Sequence, residues 1–380
     1  MKSSLLYVLL ALILLACNRP ESGSANLSYN KDAILLSSAE GFSIQKFNDY
    51  KILSVFDPWQ KSEGVVFKYL LAKDSAMVPA QLKHLPFIKI PVNRVLTLST
   101  THIAFIDTLT GINSITGVSG SQYVYDGELR KRIISGDVRD IGYDQSLNYE
   151  LIIDMEPDVI FMYGVEGTVG STISKLQDLG LQPVMCGDYL EAHPLGKVEW
   201  IKFFGEFYDK GREADIIYRG IDSAYIAVSD LSAGLEKKPA VLSGLPWKNT
   251  WYVPGGDSFA ARLIEDAGGN YLWSDDNSEE AIPLDLESVY LKAMEADIWI
   301  NPGDVSTLDE LYKFDERFRH LSVLSDGQVF NNHNRINNFG GNDYWESGAL
   351  RPDLIIADLF KIFHPELSRD HELIYYSKLK

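Results

Sequence analysis

Residues 147–163 read LNYELIIDMEPDVIFMY, and residues 284–301 read LDLESVYLKAMEADIWIN. Each opens on Leu-x-x-Glu, continues with an apolar helical face, reaches Met-Glu-x-Asp and ends in a hydrophobic run. An apolar period of 3.6 residues passing into an unbroken apolar run is the pattern of a helix that feeds a buried strand. The same pattern is also the commonest way of writing any helix-to-strand junction. Two copies on opposite halves of one chain nevertheless predict two α/β lobes of related construction.

Outward from these units, further buried strands are expected at Arg94 to Ser99, Ser114 to Ser119, Gln182 to Cys186 and Pro239 to Leu245. Helical patterns lie between them, which is the alternation that builds parallel sheets with helices on both faces. The stretch from Ala33 to Val92 is different. Its runs AILL, YKILSVF, GVVFKYLL and FIKIPV are strand formers without a helix between them, so antiparallel strands added to the first lobe are expected. From Leu195 to about Ala233 the pattern turns helical, with Trp200, Phe203, Phe204 and Phe207 at helical spacing and few breakers after Gly211. A helix of about 21 residues is roughly 30 Å long, enough to run along both lobes and to permit only limited hinge motion.

The expected fold class is therefore α/β: two α/β lobes joined by a long interlobe helix, with extra β-strands at the N-terminus of the first lobe. The expected division is a leader at 1–16, a tether at 17–30, an N-terminal lobe at 31–194 (strand-rich over 31–93), an interlobe helix region at 195–233 and a C-terminal lobe at 234–380.

Composition narrows the function. The chain has 380 residues, more than one hydrophobic core usually serves. It carries 35 Lys and Arg against 53 Asp and Glu, a net charge of −18, which argues against a face built to neutralise nucleic-acid phosphates. Lys2 and the apolar run LLYVLLALILLA at 5–16 read as an export leader, too short for the ~20 residues that a membrane span needs. The run ends in Leu14-Leu15-Ala16-Cys17, which resembles the lipobox of bacterial lipoproteins. That resemblance implies cleavage before Cys17, acylation of Cys17 and anchoring by several acyl chains. An ordinary secretory leader with an incidental Cys is the alternative. Once Cys17 is lipidated, Cys186 has no partner for an internal disulfide.

A larger resemblance is carried by blocks in a fixed order: RVLTLSTTHIAFIDTLTGINSITGVS (94–119), SLNYELIIDMEPDVIF (146–161), SKLQDLGLQPV (174–184), the long helical stretch, SFAARLIEDAGGNYLW (258–273), and the 283–301 unit with LSVLSDGQVF (321–330). This series resembles the substrate-binding proteins of ABC importers for cobalamin, ferric siderophores and haem, over roughly residues 94–367. The resemblance implies a clam of two lobes with ligand in the cleft and little closure on binding. It also implies a role for two carboxylates: Glu150, in the Asn148-Tyr149-Glu150 helix start, and Glu265, just before Gly268-Gly269, would dock one lobe each on Arg pockets of two permease subunits. From the residues alone, each is equally a solvated helix charge, and Glu150 is also a first-turn acid favoured by the helix dipole. The chain before Arg94 is longer than the family's usual start.

Open α/β sheets place ligands beyond the carboxyl ends of their strands. The candidates at such places in the first lobe are Thr100, Thr101, His102, Tyr123, Tyr125, Tyr143, Tyr163 and Gly164. The second lobe offers Trp247, Lys248, Trp251, Tyr252, Arg335, Asn337, Asn338, Tyr344 and Trp345. Rings supply area and stacking while Arg or Asn fixes peripheral polar groups, which suits a large, flat, partly apolar ligand. Trp251 and Trp345 lie among Gly, Pro and Asn rather than in apolar runs, which favours them over core packing. The seven His show no H-x-H or H-E-x-x-H, no Cys stands at zinc spacing, and neither a G-x-S-x-G elbow nor a Gly-rich phosphate loop is present. No catalytic residue, no protein-built metal site and no resident cofactor are expected. His333 is read either as a contact to an anionic or metal-bearing ligand or as a plain loop residue. Cys186 reads as a small buried hydrophobe.

The expected function is that of a monomeric, lipid-anchored solute-binding component, facing the periplasm or the cell exterior. It would capture a metal chelate (a ferric siderophore, cobalamin or haem) and deliver it to ABC permease subunits. An exported binding or sensing lipoprotein of the same fold without a permease is the alternative.

Overall fold

A computed structural model describes residues 32–143, 146–165 and 169–380. The expected leader, tether and Cys17 therefore lie outside the described residues.

The chain opens with a five-stranded sheet: β1 (Asp32–Ala33), β2 (Phe42–Lys46), β3 (Tyr50–Phe56), β4 (Val66–Ala72) and β5 (Phe87–Lys89), in that spatial order. Pairing is antiparallel except between β4 and β5. Of the expected AILL strand only the first residue pairs, because Ile34 and Leu36 pack sideways onto the core instead.

The first α/β unit follows: β6 (Val95–Thr97), α1 (Thr100–Thr108), β7 (Ile115–Val118), α2 (Gly127–Ser135), β8 (Arg139–Asp140), α3 (Tyr149–Asp154), β9 (Val159–Met162), α4 (Val169–Asp178) and β10 (Pro183–Met185). Its sheet is parallel throughout, in the order β10-β9-β6-β7-β8. Two helices come next, α5 (Pro194–Phe207) and α6 (Gly211–Ala233). The second α/β unit holds β11 (Ala240–Ser243), β12 (Thr250–Val253), α7 (Phe259–Asp266), β13 (Asn270–Tyr271), β14 (Ile282–Asp285), α8 (Leu286–Ala293), β15 (Ile298–Ile300), α9 (Leu308–Phe314), α10 (Ser322–Ser325), β16 (Val329–Asn331), α11 (Pro352–Phe363) and β17 (Ser377–Lys378). Its main sheet runs β13-β11-β15-β16-β17, parallel but for β17, and β12 pairs with β14 in a small antiparallel sheet. Leu284, read as the start of a helix, sits in β14, and Asp285 caps α8 one residue later.

The repeated Met-Glu-x-Asp has a structural reason in both lobes. Asp158 Oδ2 accepts the backbone N–H groups of Asn93 and Arg94 at the entry to β6, and Asp297 Oδ2 accepts that of Ala240 at the entry to β11. Each aspartate ties the start of the neighbouring parallel strand to its own, and so sets the register.

The expected single helical stretch is two helices, divided at Asp209, whose φ of 55° is left-handed. Every residue of α5 except Lys197 is buried, including Glu199, Lys202 and Glu206, whose charges are paired with Lys46, Lys51 and one another. Its Trp200, Phe203, Phe204 and Phe207 lie between the first sheet and α1, with Phe204 stacked on Phe105 at 4.9 Å. The strand-rich extension is thus one wall of the N-lobe core rather than an appendage. The lobes are bridged by α6. Tyr218 and Ile221 belong to the N-lobe core, whereas Tyr225 and, partly buried, Val228 belong to the C-lobe core. With 23 residues this helix is about 34 Å long and passes from one core to the other within a single turn.

Candidate ligand cleft

Strands β6, β7 and β9 all end at one edge of the N-lobe sheet, so the residues after them converge. Ser99 accepts the N–H of Thr101 as the N-cap of α1, and its hydroxyl lies 2.7 Å from that of Thr101. Gly120 follows β7 with a left-handed φ of 62°, and a Cβ there would press within 3.0 Å of the Tyr143 ring. The turn therefore brings Tyr123 and Tyr143 together at 6.0 Å between ring centres. Tyr163, after β9, stands edge-on to Tyr189 at 6.1 Å.

Tyr123, Tyr143 and Tyr163 line one cavity of about 260 Å³ with Ser99, Thr100 and Ser119. Across it the C-lobe supplies Trp345, Asn342 and Gly340, so both lobes wall the same space. A second cavity of about 250 Å³ shares Ser119, Tyr143 and Tyr163 and extends past Met162 to Val169 and Thr172. Among the described residues no charged side chain lines either, and the lining consists of rings, hydroxyls, one amide and aliphatic carbons. Such a surface can stack a flat apolar face and bond neutral polar groups at its edge.

Several of the residues read as ligand contacts from sequence lie elsewhere. Trp251 is fully buried in the C-lobe core, packed on Trp299 and Phe318, with its indole N–H donated to the Ser243 carbonyl. The Gly, Pro and Asn around it belong to the turns of the β12–β14 sheet and leave Trp251 itself pointing inward. Tyr344 is buried beside Tyr375 and Tyr376, so in the Tyr344-Trp345 pair only Trp345 faces out. Tyr125 and Arg335 line a different and larger cavity of about 640 Å³, between α1, α6 and the C-lobe. Arg335 is held there by Asp343 at 2.6 Å and lies 5.5 Å from the Tyr125 ring. Although this cavity is larger than the two at the strand ends, it lies off those ends. The smaller pair at the strand ends is the better ligand site by the rule for open α/β sheets.

Trp247 is exposed beyond the carboxyl end of β11 with the Lys248 ammonium 4.1 Å from its ring, and it lines neither cleft cavity. His333 sits beside Asn331, with its imidazole pushed towards the neutral form by burial. His102 is buried and points inward to Asp188 at 3.4 Å. Burial opposes charge on Asp188, but His102 and Lys197 outweigh it and hold its carboxyl below the usual range. Cys186 is buried and its thiol is pushed well up by that burial. Ser99, Ser119 and Asn342 were not read as site residues from the sequence. Their signal was position alone, immediately after strands or within the Asn- and Gly-rich loop.

Glu150 is exposed in the first turn of α3, which Asn148 caps through the Leu151 N–H. Glu265 is exposed near the end of α7, 3.6 Å from Arg262. The two acids stand on different lobes. Among the described residues no group of three or more His, Cys, Asp or Glu is placed to hold a metal ion, and no helix is long and apolar enough to cross a membrane.

Comparisons with known proteins agree with this architecture. An uncharacterized lipoprotein of Methanocaldococcus jannaschii is 28% identical over 326 residues, covering 82% of this chain and 76% of its own length. A periplasmic binding protein from Veillonella parvula superposes with a TM-score of 0.59 at 15% identity, covering 85% of this chain and 95% of its own. A periplasmic heme binding protein from Pseudomonas aeruginosa does so with a TM-score of 0.57 at 14% identity, covering 76% and 98%. At such identities the structural likenesses speak for the fold alone. The sequence from 95 to 336, which spans both sheets, the bridging helix and most of the cleft, matches the periplasmic binding protein family, and the chain belongs to that family.

Proposed function

We propose that this protein captures a metal chelate between its lobes and delivers it to an ABC permease from a lipid anchor at Cys17. The observation that carries the ligand reading is the cleft lining: three tyrosines, one tryptophan, hydroxyls and an amide, with no charged side chain among the described residues. A catecholate or carboxylate siderophore is anionic and needs Arg or Lys in the cleft. A corrinoid or a haem presents a broad apolar face, and a corrinoid adds neutral amides at its rim. Within the chelate class the lining therefore favours a flat macrocycle, cobalamin first. Proteins of the same fold that are named as heme-binding or iron-binding support the class.

Quenching of tryptophan fluorescence by cyanocobalamin, haemin and an anionic ferric catecholate siderophore tests this. Trp345 is 61% exposed on the cleft wall and should report binding directly. The expected order is cobalamin or haemin ahead of the siderophore, with Trp345→Ala weakening binding about tenfold, as the loss of one stacking ring would. Absence of quenching by all three probes would sink the chelate reading.

Permease docking is a separate step with its own test. Exposed carboxylates on two rigid lobes can set register and speed encounter while adding little raw affinity. Glu150→Lys with Glu265→Lys should abolish ligand uptake by cells while purified protein binds as before. Unchanged uptake by cells while ligand still binds would mean that docking does not go through these two residues.

A further inference from the structure

Besides α6, and beside the packing of Leu350 in the N-lobe core and of Leu195 in the C-lobe core, the lobes meet loop to loop. Glu346, in the C-lobe loop that carries Trp345, is only 3% exposed, and its two oxygens accept N–H groups from the N-lobe: Tyr125 at 2.7 Å and Asp126 at 2.8 Å. Asn337, at the other end of the same loop, donates its Nδ2 to the Val124 carbonyl at 2.9 Å. Between them Gly341 lies so close to Val124 that an added Cβ would fall 2.6 Å from its carbonyl oxygen. Arg130 of α2 completes the contact, its guanidinium 3.9 Å over the Phe339 ring.

We infer that Glu346 and Asn337 are positioning residues for the ligand cleft, clasping C-lobe loop 335–347 to N-lobe loop 123–126 and thereby fixing the distance between Tyr123 and Trp345. Both loops alternate between two spaces. Tyr123, Asn342 and Trp345 face the cleft, while Tyr125, Asp126, Arg335, Asp343 and Glu346 face the 640 Å³ cavity. That cavity is also lined by Ile217 and Ile221 of α6, so it separates the clasp from the bridging helix. Lobes joined by one helix can rock about it, whereas lobes joined at two separated points cannot. A buried carboxyl group accepting two backbone N–H groups suits such a joint, since its bonds are directional and leaving its partners unmet is costly. The inference adds to the binding reading but does not need it, because the geometry it concerns is that of the empty protein.

The test reads lobe motion without ligand. Spin labels at Ile134→Cys on α2 and Leu291→Cys on α8, both exposed, report the interlobe distance by pulsed electron resonance in a Cys17→Ser background, and buried Cys186 does not compete for label. The unaltered clasp should give one narrow distance distribution. Glu346→Ala should broaden it at least twofold, Asn337→Ala less, and Glu346→Gln should be intermediate, since its amide oxygen still accepts one N–H. Leu70→Ala, in the separate apolar cluster that the first sheet forms with Tyr50, Ala72 and Val78, should leave the width unchanged and so separates lost stability from lost clasping. A double Glu346→Ala, Asn337→Ala variant with native circular dichroism and an unchanged distribution would overturn the inference. Because no ligand is used, that failure is distinct from a failure of the probes to quench tryptophan.

Discussion

Replacing Glu199 by alanine should lower stability by about 3–5 kcal/mol, a fall in Tm of roughly 5 °C for a chain of this length. Glu199 sits on α5 with no exposure and accepts the N–H groups of Ser37, Ser38 and Ala39 at 2.8–3.0 Å. Its other partner is the buried Lys202 ammonium, at 2.8 Å. Truncation leaves three N–H donors without an acceptor. It also leaves the ammonium with only Asp215, 3.4 Å away. The effect should reach beyond α5, because the 37–39 segment leads directly into β2 and so into the sheet that walls the N-lobe core. Adding Lys202→Met to Glu199→Ala should recover part of the loss by removing the stranded charge. Thermal unfolding followed by circular dichroism measures both variants. A Tm within 2 °C of the unaltered chain for Glu199→Ala would refute this account of how the extension is held.

The second large effect is on pH dependence. Burial pushes the Glu346 carboxyl up from 4.5 to about 8. The two N–H groups of Tyr125 and Asp126 pull it down, but the neighbouring charges of Asp343 and Asp126 add to the rise. Arg335 is engaged by Asp343 and does not reach Glu346 in the contacts described. Below about 4.5 the folded and unfolded chains both carry the proton. Between there and about 8 only the folded chain keeps it, so stability from this group falls as pH rises and is fully lost above about 8. The loss is on the order of 4 kcal/mol. Glu346→Gln cannot titrate, so the difference in stability between Glu346→Gln and the unaltered chain should shift in favour of the variant by that amount from pH 4.5 to pH 8. Urea unfolding at a series of pH values measures it. A difference that stays constant with pH would mean that Glu346 titrates normally.

Much of the architecture could be read along the chain because it rests on local periodicity. The six strands expected from Arg94, Ser114, Asp158, Gln182, Pro239 and Asp297 onward all form, since parallel strands covered on both faces are continuous apolar runs. The short edge strands β8, β13 and β17 were not legible. Each has only two residues, and neighbouring strands rather than side chains make them strands. In the site, position after a strand pointed to Tyr123, Tyr143, Tyr163 and the Trp345 loop, which the structure brings around one cavity. It misled at Trp251, because a tryptophan among turn residues can still point either way, and strand pairing decided that it points into the core.

Order and pattern along the sequence were enough for the class of fold, the added strands and the two-lobed plan, because hydrophobic period and the Met-Glu-x-Asp junctions are properties of neighbouring residues. The tertiary structure alone decided where α5 ends and α6 becomes the bridge, which aromatics face the cleft and which the core, and that Glu199 and Glu346 are buried acceptors rather than surface charges. A carboxylate in a string of letters has no environment. Only the approach of Ser37 to Ala39 on one side, and of Tyr125 and Asp126 on the other, gives these two the backbone N–H groups that make their burial tolerable.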